Sequence, residues 1–161
     1  MPTGFLQHTP AAQVDPISRP RAADASILDD LPKDIPALTR AHAAAARAAE
    51  VGFDWPDLAS VQAKVDEERG ELEMAITAGD EDAVFREYGD LLLATTNLGR
   101  LLGLAPEDAL LAANQRFEDR FRALELLARK RHQPLQSASL AELDALWEAV
   151  KAAEVTPGRR G

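Results

Sequence analysis

Five acidic side chains fall into two groups whose spacing suits an α-helix. The first group is Glu67, Glu68 and Glu71, and the second is Glu87 and Asp90. Residues three or four positions apart share one face of a helix, so the carboxylates of each group would point in similar directions. Carboxylates gathered in this way can hold a hard divalent cation through their oxygens.

Glu68 stands where the surrounding pattern calls for an apolar side chain. Leu58, Val61, Val65 and Leu72 recur at helical spacing, and position 68 belongs to the same stripe. Glutamate is almost never fully buried unless it is paired. The other two glutamates of this group lie along one edge of the stripe, so the group borders the predicted core.

The second group lies on the following predicted helix. A helical projection places Glu87 and Asp90 among apolar side chains such as Leu91 and Leu98. A short turn at Gly79 would make the two helices antiparallel and bring the two groups face to face. Burying an unpaired carboxylate costs several kcal/mol, and converging like charges cost more.

Two explanations remain for this convergence besides protonation of several carboxylates. A divalent cation, Mg²⁺ or in its place Mn²⁺, would relieve the repulsion, because both prefer carboxylate oxygens. Alternatively, Glu67 and Glu71 are surface residues and Glu68 is paired with Lys64, four positions earlier. For one helix alone the ion pair would be preferred, but the second group on the adjacent helix favours the metal.

Apolar periodicity predicts an all-α protein of four to five helices, and no segment shows the alternation of a strand. The predicted helices span about 34–50, 56–78, 80–102, 106–132 and a last segment that begins at a capping box formed by Ser139 and Glu142. Asp34 is the predicted cap of the first helix, with Pro36 in its opening turn.

Proline content predicts the domain bounds. Residues 1–32 hold five of the ten prolines and few periodic apolar positions, which predicts a tail or linker in which only Ile27 and Leu28 dock. We expect the folded domain over residues 33–155 and a second loose tail at residues 156–161.

Composition excludes several classes of protein. The net charge of −9 argues against binding to nucleic acid or to an anionic membrane, because such binding depends on Lys and Arg. The sequence contains no cysteine, which excludes disulfides and thiolate metal sites and favours a cytoplasmic protein. No run of eighteen apolar residues is present, so we expect no membrane span.

The acidic groups are part of a longer resemblance to a known family. EERGE at residues 67–71, followed by EYGD at residues 87–90, resembles the EExxE…ExxD metal motif of the MazG family. The likeness continues, through about residues 31–154, in GFDWP at 52–56, DLLLATTNLGRLLG at 90–103, ANQRFEDRFRALE at 113–125 and LWEAVKAAE at 146–154. These segments resemble the carboxy-terminal module of MazG.

The resemblance implies a MazG-like bundle completed by dimerisation, and an Mg²⁺-dependent enzyme. The substrates would be nucleoside triphosphates, cleaved between the α- and β-phosphates to a monophosphate and pyrophosphate, and the role would be nucleotide-pool house-cleaning. All five carboxylates would bind metal, and Glu68 is our candidate for the general base.

The resemblance also implies a set of substrate-binding residues, namely Arg116, Arg120, Lys151, Trp147, Asn97 and Lys64. Arg116 and Arg120 match basic positions that contact the triphosphate, whereas Lys151 and Trp147 match positions near the nucleotide. The alternative for the two arginines is a surface pair bound to Glu118 or Asp119, and for Trp147 and Trp55 it is a core aromatic.

Two departures from the family pattern stand out. Residues 42–46 are nearly all alanine where MazG proteins commonly carry polar side chains, which puts any substrate contact there in doubt. The chain also carries one module where many MazG proteins carry two. A dUTPase-like relative of narrow specificity, and a non-catalytic dimerisation or regulatory module, are therefore kept as alternatives.

Overall fold

The computed structural model describes residues 25–155, and every regular element in this range is helical. The elements are α1 (Ala37–Glu50), α2 (Leu58–Ala78), α3 (Glu81–Leu101), α4 (Pro106–Lys130), a short 3₁₀ turn (Leu135–Ser137) and α5 (Leu140–Val155). The prediction of an all-α fold is confirmed. None of the helices in this range is both long and apolar enough to cross a membrane.

The chain forms two compact units that divide after Glu107, in the first turn of α4. The described part of the first unit is residues 25–107, and that of the second is residues 108–155. The predicted loose tails fall mostly outside the described residues, and the domain bounds stay a prediction.

A two-residue link joins the two helices that carry the acidic groups. Gly79 adopts φ 69° at the end of α2, a conformation that glycine reaches without steric cost. Asp80 then caps α3, because its side chain accepts a 3.0 Å hydrogen bond from the backbone N–H of Ala83. Two packed helices joined by so short a link are antiparallel, as predicted.

Small side chains fill the contacts of the first unit, in which α2 and α1 each pack against α3. Val61 is fully buried, and Ala75 and Ala94 are nearly so. Apolar periodicity also predicted Ala75 or Ile76 on α2 and Tyr88 on α3 as members of buried stripes. This prediction is only partly confirmed, because Ala75 is buried but Ile76 and Tyr88 are more than half exposed. Periodicity marks a face that can be buried, but only a neighbouring element determines how much of that face is covered.

Two predictions about the start of the first helix were wrong. Pro36, and not Asp34, is the N-cap of α1, and its extended ψ of 146° keeps the preceding residues out of the helix. Leu28 is 43% exposed, whereas Leu31 is buried and Ile27 half-buried. Arg40 explains the difference, because its guanidinium donates to the carbonyl oxygens of residues 31 and 32 and holds this part of the segment on α1.

The second unit pairs α4 with α5 around Leu124, Ala128, Leu146 and Val150. The predicted capping box is present: the N–H of Ser139 donates to Oε2 of Glu142 at 2.8 Å, and the N–H of Glu142 donates to Oγ of Ser139 at 3.4 Å. The preceding helix ends at Lys130, two residues before its predicted end at His132, which adopts a positive φ of 54°.

Candidate metal centre

Three carboxylates from the two antiparallel helices converge in the first unit. Glu68 and Glu71 of α2 and Glu87 of α3 each offer one oxygen, and these three oxygens lie within 4.8 Å of one another. The predicted meeting of the two acidic groups is therefore confirmed for these three residues, which we call the carboxylate triad.

Glu68 is the most buried member of the triad, at 5% exposure. Its Oε1 accepts a hydrogen bond from Nζ of Lys64 at 2.7 Å, and the same ammonium lies 2.8 Å from Oε1 of Glu67. The ion pair that the sequence offered as an alternative to a metal is therefore formed. These hydrogen bonds raise the pKa of Lys64 well above its usual value, so the ammonium stays charged at neutral pH.

Glu71 shows that Lys64 does not neutralise the whole triad. The pKa of Glu71 is raised by the burial of its carboxyl and then by the negative charges of Glu68 and Glu87. The charge of Lys64 lowers this pKa, but the net direction remains upward. The triad is therefore under-neutralised in the folded protein, which is the electrostatic condition that favours a bound cation.

Two of the five predicted ligands lie outside the triad. Glu67 is exposed and shares Lys64 with Glu68. Asp90 is exposed too, so the prediction that it lies in apolar company was wrong. Three positions along a helix turn a side chain by about 60° from its neighbour's direction, which is enough to move Asp90 off the face that Glu87 shares with α2.

The donor set of the triad suits magnesium or manganese. All three groups are carboxylates, which are the ligands that these hard cations prefer. Two oxygens on opposite sides of an Mg²⁺ ion are about 4.2 Å apart, so side-chain adjustments of about half an ångström would bring the triad onto one ion. Three protein ligands also leave coordination positions for water and phosphate oxygens.

Asn97 belongs to a separate polar network farther along α3. Its Oδ1 accepts a 3.2 Å hydrogen bond from Nε of Arg100. Both terminal nitrogens of Arg100 bind the carboxylate of Asp54, which lowers the pKa of Asp54. The backbone N–H of Trp55 donates to the same carboxylate and contributes to this shift. The network ties the loop after α1 to α3.

His42 lies near this network at the start of the alanine-rich stretch. Burial and then the charge of Arg100 lower the pKa of His42. Its Nδ1 is buried with no hydrogen-bond partner among the described residues. His42 and the four alanines that follow it are half-buried, in a helix that packs against α3.

The remaining predicted substrate-binding residues lie in the second unit. Arg120 binds the carboxylate of Glu154 through Nε at 3.0 Å and Nη2 at 2.9 Å. Lys151 binds Glu148 at 2.9 Å, and the ring of Trp147 packs against that of Phe117 with centroids 5.6 Å apart.

The predicted alternative for the two arginines is not the arrangement observed. Glu118 and Asp119 instead form ion pairs with Arg122, at 2.6 Å and 3.1 Å respectively. Arg116 is exposed. The substrate-binding roles of the second-unit residues stay predictions.

Comparison with known proteins gives a family match over the part of the chain that contains the triad. Residues 42–117, which contain all three of its members, match the family described as phosphoribosyl-ATP pyrophosphohydrolase. The chain is 40% identical to the nucleoside triphosphate pyrophosphohydrolase of Escherichia coli strain K12 over 145 residues. This aligned region covers 89% of this chain and 55% of the relative. The chain is also 38% identical to the nucleoside triphosphate pyrophosphohydrolase/pyrophosphatase MazG of Thermotoga maritima over 122 residues. This aligned region covers 76% of this chain and 47% of the relative.

The chain is similar to nucleoside triphosphate pyrophosphohydrolases, one of which is named MazG, over most of its own length. It spans about half the length of the curated relatives that it matches. The MazG resemblance stated from the sequence is thereby confirmed.

The sequence patterns did not predict the ion pair between Asp54 and Arg100. Both residues lie in segments that carry the MazG likeness, GFDWP and DLLLATTNLGRLLG, so the signal was present. Nothing in helical periodicity pairs residues 46 positions apart, which is the separation of these two. A contact of this kind follows from tertiary packing alone.

Proposed function

We propose that this chain hydrolyses nucleoside triphosphates between the α- and β-phosphates, with Mg²⁺ held by Glu68, Glu71 and Glu87. The observation that carries the proposal is the convergence of these three carboxylates within 4.8 Å. The names of the two MazG-family relatives support the reaction, because both are called nucleoside triphosphate pyrophosphohydrolases.

The carboxylates have distinct roles in this proposal. Glu71 and Glu87 would hold the cation from two helices, and the MazG resemblance assigns Glu67 and Asp90 as further ligands. When bound, Mg²⁺ neutralises phosphate charge and lowers the pKa of an attacking water. Glu68 is also the general base in this proposal, because one of its two carboxylate oxygens would hold the cation and the other would accept a proton.

The substrate-binding roles rest on the MazG resemblance. Lys64 and Asn97 in the first unit, and Arg116, Arg120, Lys151 and Trp147 in the second, are the residues that it assigns to the nucleotide. Arginines that bind phosphate oxygens stabilise the charge that develops on a leaving pyrophosphate.

A product assay across a panel of nucleotides tests the proposal. The panel contains the canonical nucleoside and deoxynucleoside triphosphates, dUTP and oxidised or deaminated triphosphates, each with Mg²⁺ and with excess chelator. We expect equal amounts of monophosphate and pyrophosphate, and loss of turnover with chelator. Orthophosphate as the first product, or full activity in chelator, would refute the proposed reaction.

A second candidate substrate is phosphoribosyl-ATP, because residues 42–117 match a family described by that substrate. It belongs in the same panel, where the ratio of its kcat/KM to that of ATP decides between the two. Turnover of dUTP alone would instead support the dUTPase-like alternative. Preference for damaged triphosphates would support nucleotide-pool house-cleaning.

We further propose a cytoplasmic homodimer. Large apolar side chains of the first unit are exposed, with Phe85 at 82%, Met74 at 65% and Ile76 at 58%. Exposed apolar side chains on one helical hairpin are typical of a surface that a second copy covers. Light scattering coupled to size-exclusion chromatography gives the mass directly, and a monomer at micromolar concentration would contradict the proposal.

A further inference from the structure

Lys64 occupies the cationic position next to the triad. Its ammonium lies 2.7 Å from Oε1 of Glu68 and 2.8 Å from Oε1 of Glu67. The Lys64 side chain is 33% exposed, whereas that of Glu68 is 7% exposed. A charged hydrogen bond to a buried carboxylate is stronger than one in open solvent, so this pair offsets much of the cost of burying Glu68.

The contact of Lys64 with Glu67 and Glu68 is an ion pair between one ammonium and two carboxylates. Another cation can release the ammonium by taking one of these carboxylates. Glu68 is the residue for which the two would compete, because it belongs both to the ion pair and to the triad.

Simultaneous occupation is unfavourable on electrostatic grounds. A cation within about 2.1 Å of a Glu68 oxygen would lie only a few ångströms from an ammonium that is 2.7 Å from the same carboxyl group. Like charges at such a separation repel strongly wherever water is partly excluded. Lys64 can move away without strain, because its flexible four-carbon stem is anchored on α2 and its end is partly exposed.

We propose that Lys64 is a placeholder cation: it neutralises Glu67 and Glu68 in the metal-free protein and leaves Glu68 when a divalent cation binds the triad. Released from Glu68, its ammonium turns toward the polyphosphate of the substrate. This second step rests on the proposed function, whereas the first depends on the metal alone.

The placeholder role predicts effects of opposite sign. Without the Lys64 ammonium, free metal no longer has to displace it, so affinity for the metal alone increases. The metal-free fold loses stability, and the affinity for a metal–nucleotide complex decreases. A purely structural lysine would alter stability without strengthening metal binding, and a purely substrate-binding lysine would leave the affinity for free metal unchanged.

The experiment compares Lys64→Met with Arg69→Met in the full chain. Arg69 lies on the same helix and pairs with Glu73 at 3.0 Å and Asp66 at 3.7 Å, both away from the triad. Its replacement therefore removes the same charge from the same helix without touching Glu68. Lys64→Arg serves as the conservative variant, because it keeps a cation at this position.

Calorimetric titration with Mn²⁺ in the absence of nucleotide gives the deciding number. We expect Lys64→Met to bind Mn²⁺ about tenfold more tightly than the unmodified chain. Arg69→Met should stay within about twofold, and Lys64→Arg should return close to the unmodified value. Equal or weaker Mn²⁺ binding by Lys64→Met would overturn the proposal.

Direct observation of the ammonium covers the case in which Lys64→Met fails to fold. The chain has four lysines, so the ¹⁵N–H₃ signals of its side chains can be assigned by substitution. We expect the Lys64 signal to be protected from exchange in chelator and to lose that protection as Mg²⁺ is added. A signal unchanged at saturating Mg²⁺ would overturn the proposal.

Failure of this proposal is distinguishable from failure of the proposed function. Normal turnover with unchanged metal affinity in Lys64→Met refutes the placeholder role and leaves the hydrolase standing. Tighter Mn²⁺ binding by Lys64→Met, without turnover of any nucleotide in the panel, refutes the hydrolase and leaves the placeholder role standing.

Discussion

Glu68 accepts a charged hydrogen bond from Lys64. One of its carboxylate oxygens also lies within 4.8 Å of a carboxylate oxygen of Glu71 and of Glu87. An ion pair alone explains a buried glutamate, but it does not explain two more carboxylates placed against it. The pKa of Glu71 is raised by the burial of its carboxyl and then by the charges of Glu68 and Glu87, and the charge of Lys64 does not reverse this direction. At the scale of single residues, the surplus of negative charge is the feature that a structural role leaves unexplained.

Replacing Glu87 by glutamine separates catalysis from folding. Glutamine keeps the shape of the side chain and removes one charge from the triad. Turnover should fall by about two orders of magnitude or more, because a metal ligand is lost. Metal-free stability should stay level or rise by about 1 kcal/mol, because repulsion in the triad is relieved. Turnover on ATP and chemical denaturation in chelator, measured on one preparation, give both numbers.

Glu73→Gln is the matched control. Glu73 lies on α2 with a 66% exposed side chain, and its partner is Arg69. Its loss removes a surface ion pair, so both turnover and stability should stay close to those of the unmodified protein. A Glu87→Gln variant that is less stable yet fully active would refute the catalytic role of the triad.

Glu71 gives the triad a pH signature in the absence of metal. Its pKa is raised in the folded chain, so stability is lost as the pH rises from its unfolded-state pKa through its folded-state pKa. Glu71→Gln does not ionise and escapes this loss. In chelator, its melting temperature should exceed that of the unmodified protein at pH 7, and the gap should close as the pH falls toward 4.5, the ordinary pKa of glutamate. A gap that widens toward acid would contradict the assigned repulsion.

At the scale of elements, the turn between α2 and α3 sets which carboxylates meet. The link is two residues long, so the register of the two helices depends on the backbone of Gly79 and Asp80. Gly79 takes the left-handed conformation, and the side chain of Asp80 caps the next helix. A longer link would let α3 slide along α2 and would separate Glu87 from the other two members of the triad.

Alanine at Gly79 should cost about 1–2 kcal/mol of stability, because φ 69° is strained for a residue with a Cβ atom. Gly89→Ala is the control within α3, where an added Cβ would meet nothing within 4 Å among the described residues. That variant should gain about 0.5–1 kcal/mol, because alanine favours the helix interior. Denaturant midpoints in chelator measure both changes, and equal effects of the two variants would refute the role assigned to the turn.

Local signals account for the helix boundaries that were predicted correctly. Gly79, Asp80 and the capping box at Ser139 act through backbone dihedrals and hydrogen bonds to neighbours in sequence, so they are visible without a structure. The exposure of Ile76 and Tyr88 was not predictable, because it depends on which element covers each face. The short 3₁₀ turn at residues 135–137 has no periodic signature and was missed for that reason.

The candidate site likewise contains features that local signals predicted and features that depend on tertiary packing. The spacing within each helix predicted the grouping of Glu68 with Glu71, and the short link predicted that Glu87 would join them. The exclusion of Asp90 from the triad depends on the rotation of its helix. The ion pair between Asp54 and Arg100 depends on long-range packing. Neither can be read from spacing in one helix.

At the scale of the whole molecule, a net charge of −9 works against an anionic substrate. A free triphosphate would be repelled by the protein and most of all by the triad. A triphosphate that carries Mg²⁺ has less negative charge and brings a cation that the triad can hold. Metal and nucleotide should therefore bind cooperatively, each lowering the electrostatic cost of the other.

Thermal stability gives the test of this cooperativity and of the non-catalytic alternative together. A ligand that binds the folded state at a hundred times its Kd stabilises it by about 2.7 kcal/mol. We expect a rise in melting temperature of several degrees with Mg²⁺ plus an analogue whose α–β bridging oxygen is replaced by a methylene group. Mg²⁺ alone should give a smaller rise, and the analogue in chelator should give almost none.

Glu87→Gln should lose most of the combined effect, because its triad no longer holds the metal that the analogue needs. If Mg²⁺ alone produces the full rise and the analogue adds nothing, the carboxylates serve metal-linked folding in a helical module, and the chain does not use them on a nucleotide.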